Sequence, residues 1–101
     1  MEEERIIVKI DRDLEDLIPG YLARRQEDII SIRDACTNGD FDQILVLGHS
    51  MKGSGGGYGF DRITEIGKLI EESAKNNDPG LIRTCTDELS EYLSRIEIVY
   101  E

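Results

Sequence analysis

Apolar residues recur at spacings of three and four along most of this chain, in four separable stripes. Leu14, Leu17, Ile18, Tyr21, Leu22, Ile29, Ile32 and Cys36 form the first, a pattern that lays one apolar face along a helix. Arg25 interrupts this stripe and is expected at its edge. Pro19-Gly20 interrupts the backbone. Because proline is best tolerated in a first turn, the main helix is expected to begin near Pro19, after a short turn or separate helix. Asn38-Gly39 supplies a left-handed stop. Asp40 then caps a second helix, with Gln43 as the partner of a capping box and Phe41, Ile44, Leu45, Leu47 and Met51 on the apolar face. That helix must end within Gly53 to Gly59, where five of seven residues are glycine, each costing a helix about 1 kcal/mol relative to alanine. A third helix is predicted from Phe60 or Asp61 to Asn76, buried through Ile63, Ile66, Gly67, Ile70 and Ala74. Asp78 and Pro79 restart the chain as N-cap and first helical residue. The fourth helix carries Ile82, Cys85, Leu89, Tyr92, Leu93, Ile96 and Val99 on one near-heptad face.

Four amphipathic helices with short connections cannot each hide a stripe alone. The simplest solution is an all-α, up-down-up-down four-helix bundle. It is expected to span residues 11–101, preceded by a short N-terminal extended arm over residues 1–10. The arm contains a β-favouring run, Ile6-Ile7-Val8, for which no partner strand is evident. There is no internal repeat and no second domain.

Composition narrows the partners. A chain of 101 residues supports one modest core. The net charge of −10 argues against nucleic acid and against anionic membrane surfaces, both of which need clustered Lys and Arg. No apolar run approaches ~18 residues, so no membrane span is expected. The start, Met1-Glu2-Glu3-Glu4-Arg5, is acidic where a signal peptide is basic, which makes a cytoplasmic location the expectation. Cys36 and Cys85 each fall in a helical pattern and are expected to be free, apolar thiols. With one histidine in the chain, no metal site is expected.

That histidine carries the candidate chemistry. On a helical wheel of about 100° per residue, His49 points away from the stripe of Phe41, Ile44, Leu45 and Met51, toward solvent. Gly53 and Gly56 fall within about 40° of it, so the surface beside the imidazole is bare and another protein can close over it. Lys52 lies one turn on, where its ammonium can offset the charge of a phosphoryl group. Ser54 adds a hydroxyl or helps to end the helix. Neutral imidazole is a competent nucleophile near neutral pH. The sequence leaves open which ring nitrogen attacks. Other chemistries have less behind them. A nucleotide loop needs Gly-Lys-Ser/Thr after a strand, whereas Lys52-Gly53-Ser54 has the wrong order on a helix. No acidic orienter makes a hydrolytic triad of His49 with Ser50 or Ser54. The adjacent pairs Glu71-Glu72 and Asp87-Glu88 read as solvated faces.

His49, Lys52, Gly53 and Ser54, with Met51 before the lysine and Gly59 ten positions after the histidine, resemble the signature His-x-x-Lys-Gly-Ser of the histidine phosphotransfer domains of bacterial multistep phosphorelays. The resemblance covers about Asp11 to Tyr100. It implies a phosphocarrier rather than an enzyme that turns over. His49 would accept a phosphoryl group from a receiver-domain aspartyl-phosphate or a hybrid kinase and pass it to another response regulator. Lys52 would stabilise the phosphorylated state, and Gly53, Ser54, Gly56 and Gly59 would serve partner docking. The chain would bind no cofactor itself, the Mg²⁺ lying in the receiver partner. Receiver domains and a sensor or hybrid histidine kinase would be the partners of a monomer. The resemblance also has rivals: a module that binds a receiver or kinase without transfer, a domain phosphorylated directly by a histidine kinase, and a helical dimerisation element. Gly55, Gly56 and Gly57 depart from the family's helix-compatible residues, which predicts a looser or kinked end to the second helix.

Overall fold

The helix boundaries follow from local capping chemistry. A computed structural model describes residues 4–101. A single 3-10 turn, Arg12–Leu14, precedes α1 (Ile18–Thr37), which carries Pro19 in its first turn. Gly39, at φ +70°, breaks the chain after α1. The Asp40 side chain accepts from Gln43 N at 3.2 Å and opens α2 (Phe41–Ser54). After the glycine run comes α3 (Asp61–Lys75). Asp78 accepts from Leu81 N at 3.1 Å and, with Pro79 next, opens α4 (Pro79–Arg95). These caps fall where the sequence places them. Each helix packs on the next, and α4 closes on α1, giving the expected four-helix bundle. The floor of the core is Ile32, Ile44, Met51, Ile63, Ile66, Ile70, Ile82 and Leu89, all fully buried, each such side chain stabilising the fold by about 1.5–3 kcal/mol. Cys36 and Cys85 are buried and free, and burial pushes the Cys85 thiol up.

Two expectations at the chain ends need correction. The Ile6-Ile7-Val8 run is extended, but it has a partner: β1 (Ile6–Ile10) pairs in parallel with β2 (Ile96–Tyr100), in register Ile6 with Ile96 and Ile10 with Tyr100. Ile96 and Val99 therefore belong to a strand and not to the fourth helix, which stops at Arg95. The β-branched run Ile96-Glu97-Ile98-Val99 favours a pleated conformation and alternates half-buried with exposed residues. Parallel strands need a long crossover, and here the whole bundle is the crossover. Backbone bonds from Glu101 N to Ile10 O and from Arg12 N to Glu101 O, both 3.0 Å, extend the clasp. The arm is thus built into the bundle: Ile10 is 1% exposed.

The helices α2 and α3 make the most intimate contact in the molecule. A Cβ on Gly48 would stand 2.7 Å from Glu71 N, and one on Gly67 would stand 2.5 Å from Lys52 N. The two backbones touch, as only glycine at both positions permits. Gly53, on the outer side of α2, has open space where a Cβ would be. Opposite outcomes are expected for the same chemical change. Gly67→Ala should destabilise by about 1–3 kcal/mol, the cost of overpacking. Gly53→Ala should stabilise by up to about 1 kcal/mol through helix propensity. Urea denaturation of the two variants beside the wild type checks both.

Candidate functional site

Position 49 follows directly on the buried Gly48, so the His49 side chain emerges at the edge of the α2–α3 seam. It is 72% exposed. Its Nδ1 lies 3.0 Å from Oε2 of Glu71 on α3. The Glu71 side chain is only 8% exposed, and its other oxygen, Oε1, lies 3.3 Å from Lys75 Nζ and 3.9 Å from Lys52 Nζ. One buried carboxylate therefore gathers the imidazole and two ammonium groups. Burial raises the Glu71 carboxyl, but the hydrogen bonds from His49 and Lys75 and the charges of Lys52 and Lys75 outweigh it, and the net shift is downward from 4.5. Glu71 is thus ionised at neutral pH.

An ionised carboxylate can only accept hydrogen bonds. The His49 nitrogen facing it must therefore be the donor, so neutral imidazole carries its proton on Nδ1. The lone pair of that neutral form then sits on Nε2, the nitrogen that does not face Glu71. The sequence places Glu71 with Glu72 on a solvated face, but in the structure only Glu72 faces solvent and Glu71 is buried. The signal was present. Glu71 is one turn beyond Gly67, about 40° from it on the wheel, and so belongs to the apolar stripe of α3.

The other predicted positions divide. Lys52 is beside His49 and 42% exposed, with the long Glu71 contact as its ion pair. Gly53 is exposed with open space beside it. Ser54 is turned inward: its Oγ is 2.9 Å from Tyr21 Oη and accepts from Arg25 Nη1 at 3.2 Å. Gly56 is exposed, and its amide donates to Thr64 Oγ1 at 2.8 Å. Gly59 adopts a left-handed conformation, φ +93°, and a Cβ there would meet Ile10 Cδ1 at 2.6 Å. Its glycine has a structural reason, the close approach of β1.

The glycine run is a compact turn rather than a loose or kinked helix end. After Ser54 it forms one 3-10 turn, Gly56–Tyr58. Thr64 Oγ1 also donates to Lys52 O at 3.2 Å, tying the last turn of α2 to α3. On the other side, Tyr21 stacks on Tyr58 with ring centroids 4.2 Å apart. Arg25 is not at the edge of its stripe but 6% exposed, 4.5 Å over the Tyr21 ring, with Nε 2.9 Å from Asp28 Oδ2. A buried arginine is tolerated because Asp28, one turn on, offsets its charge.

Two outcomes are expected from Glu71. A carboxyl whose folded value is depressed contributes stability that is present above its unfolded value and lost as the pH falls through the folded one. Glu71→Gln should therefore be less stable than wild type at neutral pH, and the gap should narrow as the pH falls below 4.5; a gap that stays constant in acid denaturation series contradicts this. In alkaline solution, nitrogen NMR of the wild type should find the ring proton of His49 on Nδ1.

Known proteins can be set against this geometry. No curated protein and no solved structure matches the chain. The family model of the Hpt domain, the histidine phosphotransfer domain of two-component signalling, matches residues 14–97. The match spans all four helices and the His49 segment, and the chain belongs to the Hpt domain family.

Proposed function

We propose that this chain is a phosphorelay intermediate that takes a phosphoryl group on His49 Nε2 from a receiver-domain aspartyl-phosphate, or from a hybrid kinase, and passes it to another response regulator. The observation that carries this reading is the hydrogen bond between His49 Nδ1 and the buried, ionised Glu71, which turns a nucleophilic Nε2 toward solvent. The bare surface at Gly53 beside it leaves room for a partner's active site.

The step balances without a proton leaving the ring. The Nε2 lone pair attacks phosphorus, the N–P bond forms, and the P–O bond to the aspartyl carboxylate breaks. The ring, still protonated on Nδ1, becomes cationic. Glu71 already faces that proton and offsets the new charge. Lys52, held to Glu71 only at 3.9 Å, is free to turn toward the phosphoryl oxygens. Transfer onward reverses these bonds, and the cationic ring is a good leaving group. The magnesium ion that the reaction uses belongs to the receiver.

Incubation with a phosphorylated receiver domain should place acid-labile, base-stable phosphate on the wild type and none on His49→Gln, with the helical circular dichroism of both unchanged. Lys52→Ala should slow transfer about tenfold, the scale of one charge-assisted hydrogen bond. Gly53→Gln should block transfer from the receiver while leaving labelling by phosphoramidate, a small phosphodonor, intact. Wild-type protein that takes no label from phosphoramidate or from any receiver would falsify the phosphocarrier reading. Label that comes only from a kinase core lacking a receiver domain would replace it with direct phosphorylation by a kinase.

A further inference from the structure

The α1 side of His49 carries a feature that phosphoryl chemistry does not use. An open groove of about 430 Å³ runs between the start of α1 and the second half of α2. Leu17, Gly20, Arg24, Arg25, Ser50 and Tyr58 line it. Ser50, the residue after His49 on α2, lines it, so the groove opens on the α1 side of the helix that carries the histidine. Gly20 leaves open space on one wall, and Leu17, 54% exposed, forms an apolar lip.

Its charge is unlike that of the molecule around it. The chain bears −10 overall, yet two arginines meet here. Arg25 is fixed: its guanidinium lies over the Tyr21 ring, donates to Ser54 and pairs with Asp28. Burial lifts the Asp28 carboxyl despite both arginines, so its negative charge is held at a cost. Arg24 is exposed and forms no salt bridge among the described residues, as is true also of Arg5, Arg12, Lys68 and Arg83, but of these only Arg24 lines the groove. Asp16 stands among the lining residues as well, so the lining carries two arginines and one carboxylate.

We propose that this groove receives an acidic side chain of the docked signalling partner, with Arg24 as the contacting cation and Arg25 as the fixed positive floor behind it. The inference rests on the reading of His49 as the point over which that partner closes. A free inorganic anion is a poorer occupant. Arg25 is already engaged, the groove is open, and a lone ion would face one uncommitted cation in a negative protein. A carboxylate carried on a docked surface arrives at high effective concentration and needs only that one cation. Charges at the rim of an interface act mainly through association rate and salt dependence, and that fixes the signature of the test.

Transfer from a phosphorylated receiver domain is measured for wild type, Arg24→Glu and Arg24→Lys across a salt series, with phosphoramidate labelling of His49 alongside. Arg24→Glu should slow transfer about tenfold at low salt, and the difference should shrink as salt screens the contact. Arg24→Lys should keep most of the rate, and phosphoramidate labelling should be the same in all three. Equal transfer rates for wild type and Arg24→Glu at low salt overturn the groove while leaving the phosphocarrier reading intact. Slowing that appears equally with phosphoramidate also overturns it, because Arg24 would then act on His49 or on the fold. Failure of wild-type labelling by phosphoramidate and receiver alike overturns the phosphocarrier reading, and this inference with it.

Discussion

Gly48 and Gly67 let the backbones of α2 and α3 meet where side chains would hold them apart, and the arrangement around His49 follows from that contact. Helices packed through ordinary side chains stand about 8–10 Å apart. Here a Cβ on Gly48 would fall 2.7 Å from the backbone nitrogen of Glu71. Glu71 is therefore directly across the seam from the residue before the histidine, and its short side chain reaches the imidazole. Lys52, one turn beyond Gly48, meets the same seam at Gly67. Without the double glycine, Glu71 would be a surface carboxylate with no fixed relation to the ring.

A buried carboxylate is costly unless its charge is met. Glu71 is met three times, by Lys75, by Lys52 and by the Nδ1–H of His49. The last contact is the one with chemical consequence. It is already in place in the free protein, so on the proposed phosphocarrier reading a charge developing on the ring would find its counter-ion without rearrangement. Preorganisation of this kind is how electrostatic stabilisation lowers a barrier. The Lys52 contact is long enough to be given up, while the His49 contact has hydrogen-bond length. The geometry separates a close contact, which orients the ring, from a long one, which on the proposed reading would let Lys52 follow the phosphate.

Much of this was legible in the sequence because capping is local. Asp40, Asp78, Pro19, Pro79 and Gly39 act within a few residues of themselves, and the helix boundaries fall where those residues place them. His49, Lys52 and Gly53 were legible for a similar reason, since their relation is fixed by one helix. What was missed lies either along the same helix or in a second element. Arg25 reads as an edge residue until Asp28 is seen one turn on as its counter-charge, with Ser54 of α2 above it. Glu71 reads as half of a solvated pair unless the wheel separates it from Glu72. β2 was hidden because Leu89, Tyr92, Ile96 and Val99 continue a helical spacing, and the strand that draws Ile96–Tyr100 out of the helix lies at the other end of the chain.

The clasp of β1 and β2 bears on the site through the glycine run. The family match, residues 14–97, leaves β1 and most of β2 outside it. Yet Ile10 of β1 packs against Gly59, the left-handed residue that closes the turn after α2. A glycine-rich segment loses more conformational entropy on folding than any other, and something must hold it. Gly55 is pressed against the first turn of α3, and Gly56 is bonded to Thr64. Gly59 is then locked by Ile10, and Tyr58 is stacked on Tyr21. The turn is thereby fixed from α3, from α1 and from the strand pair at once. That leaves Gly53 and Gly56 free of side chains on the outer face of a backbone held from within. On the proposed reading, such a surface would be bare enough for a partner's active site to approach His49 and would still keep one shape.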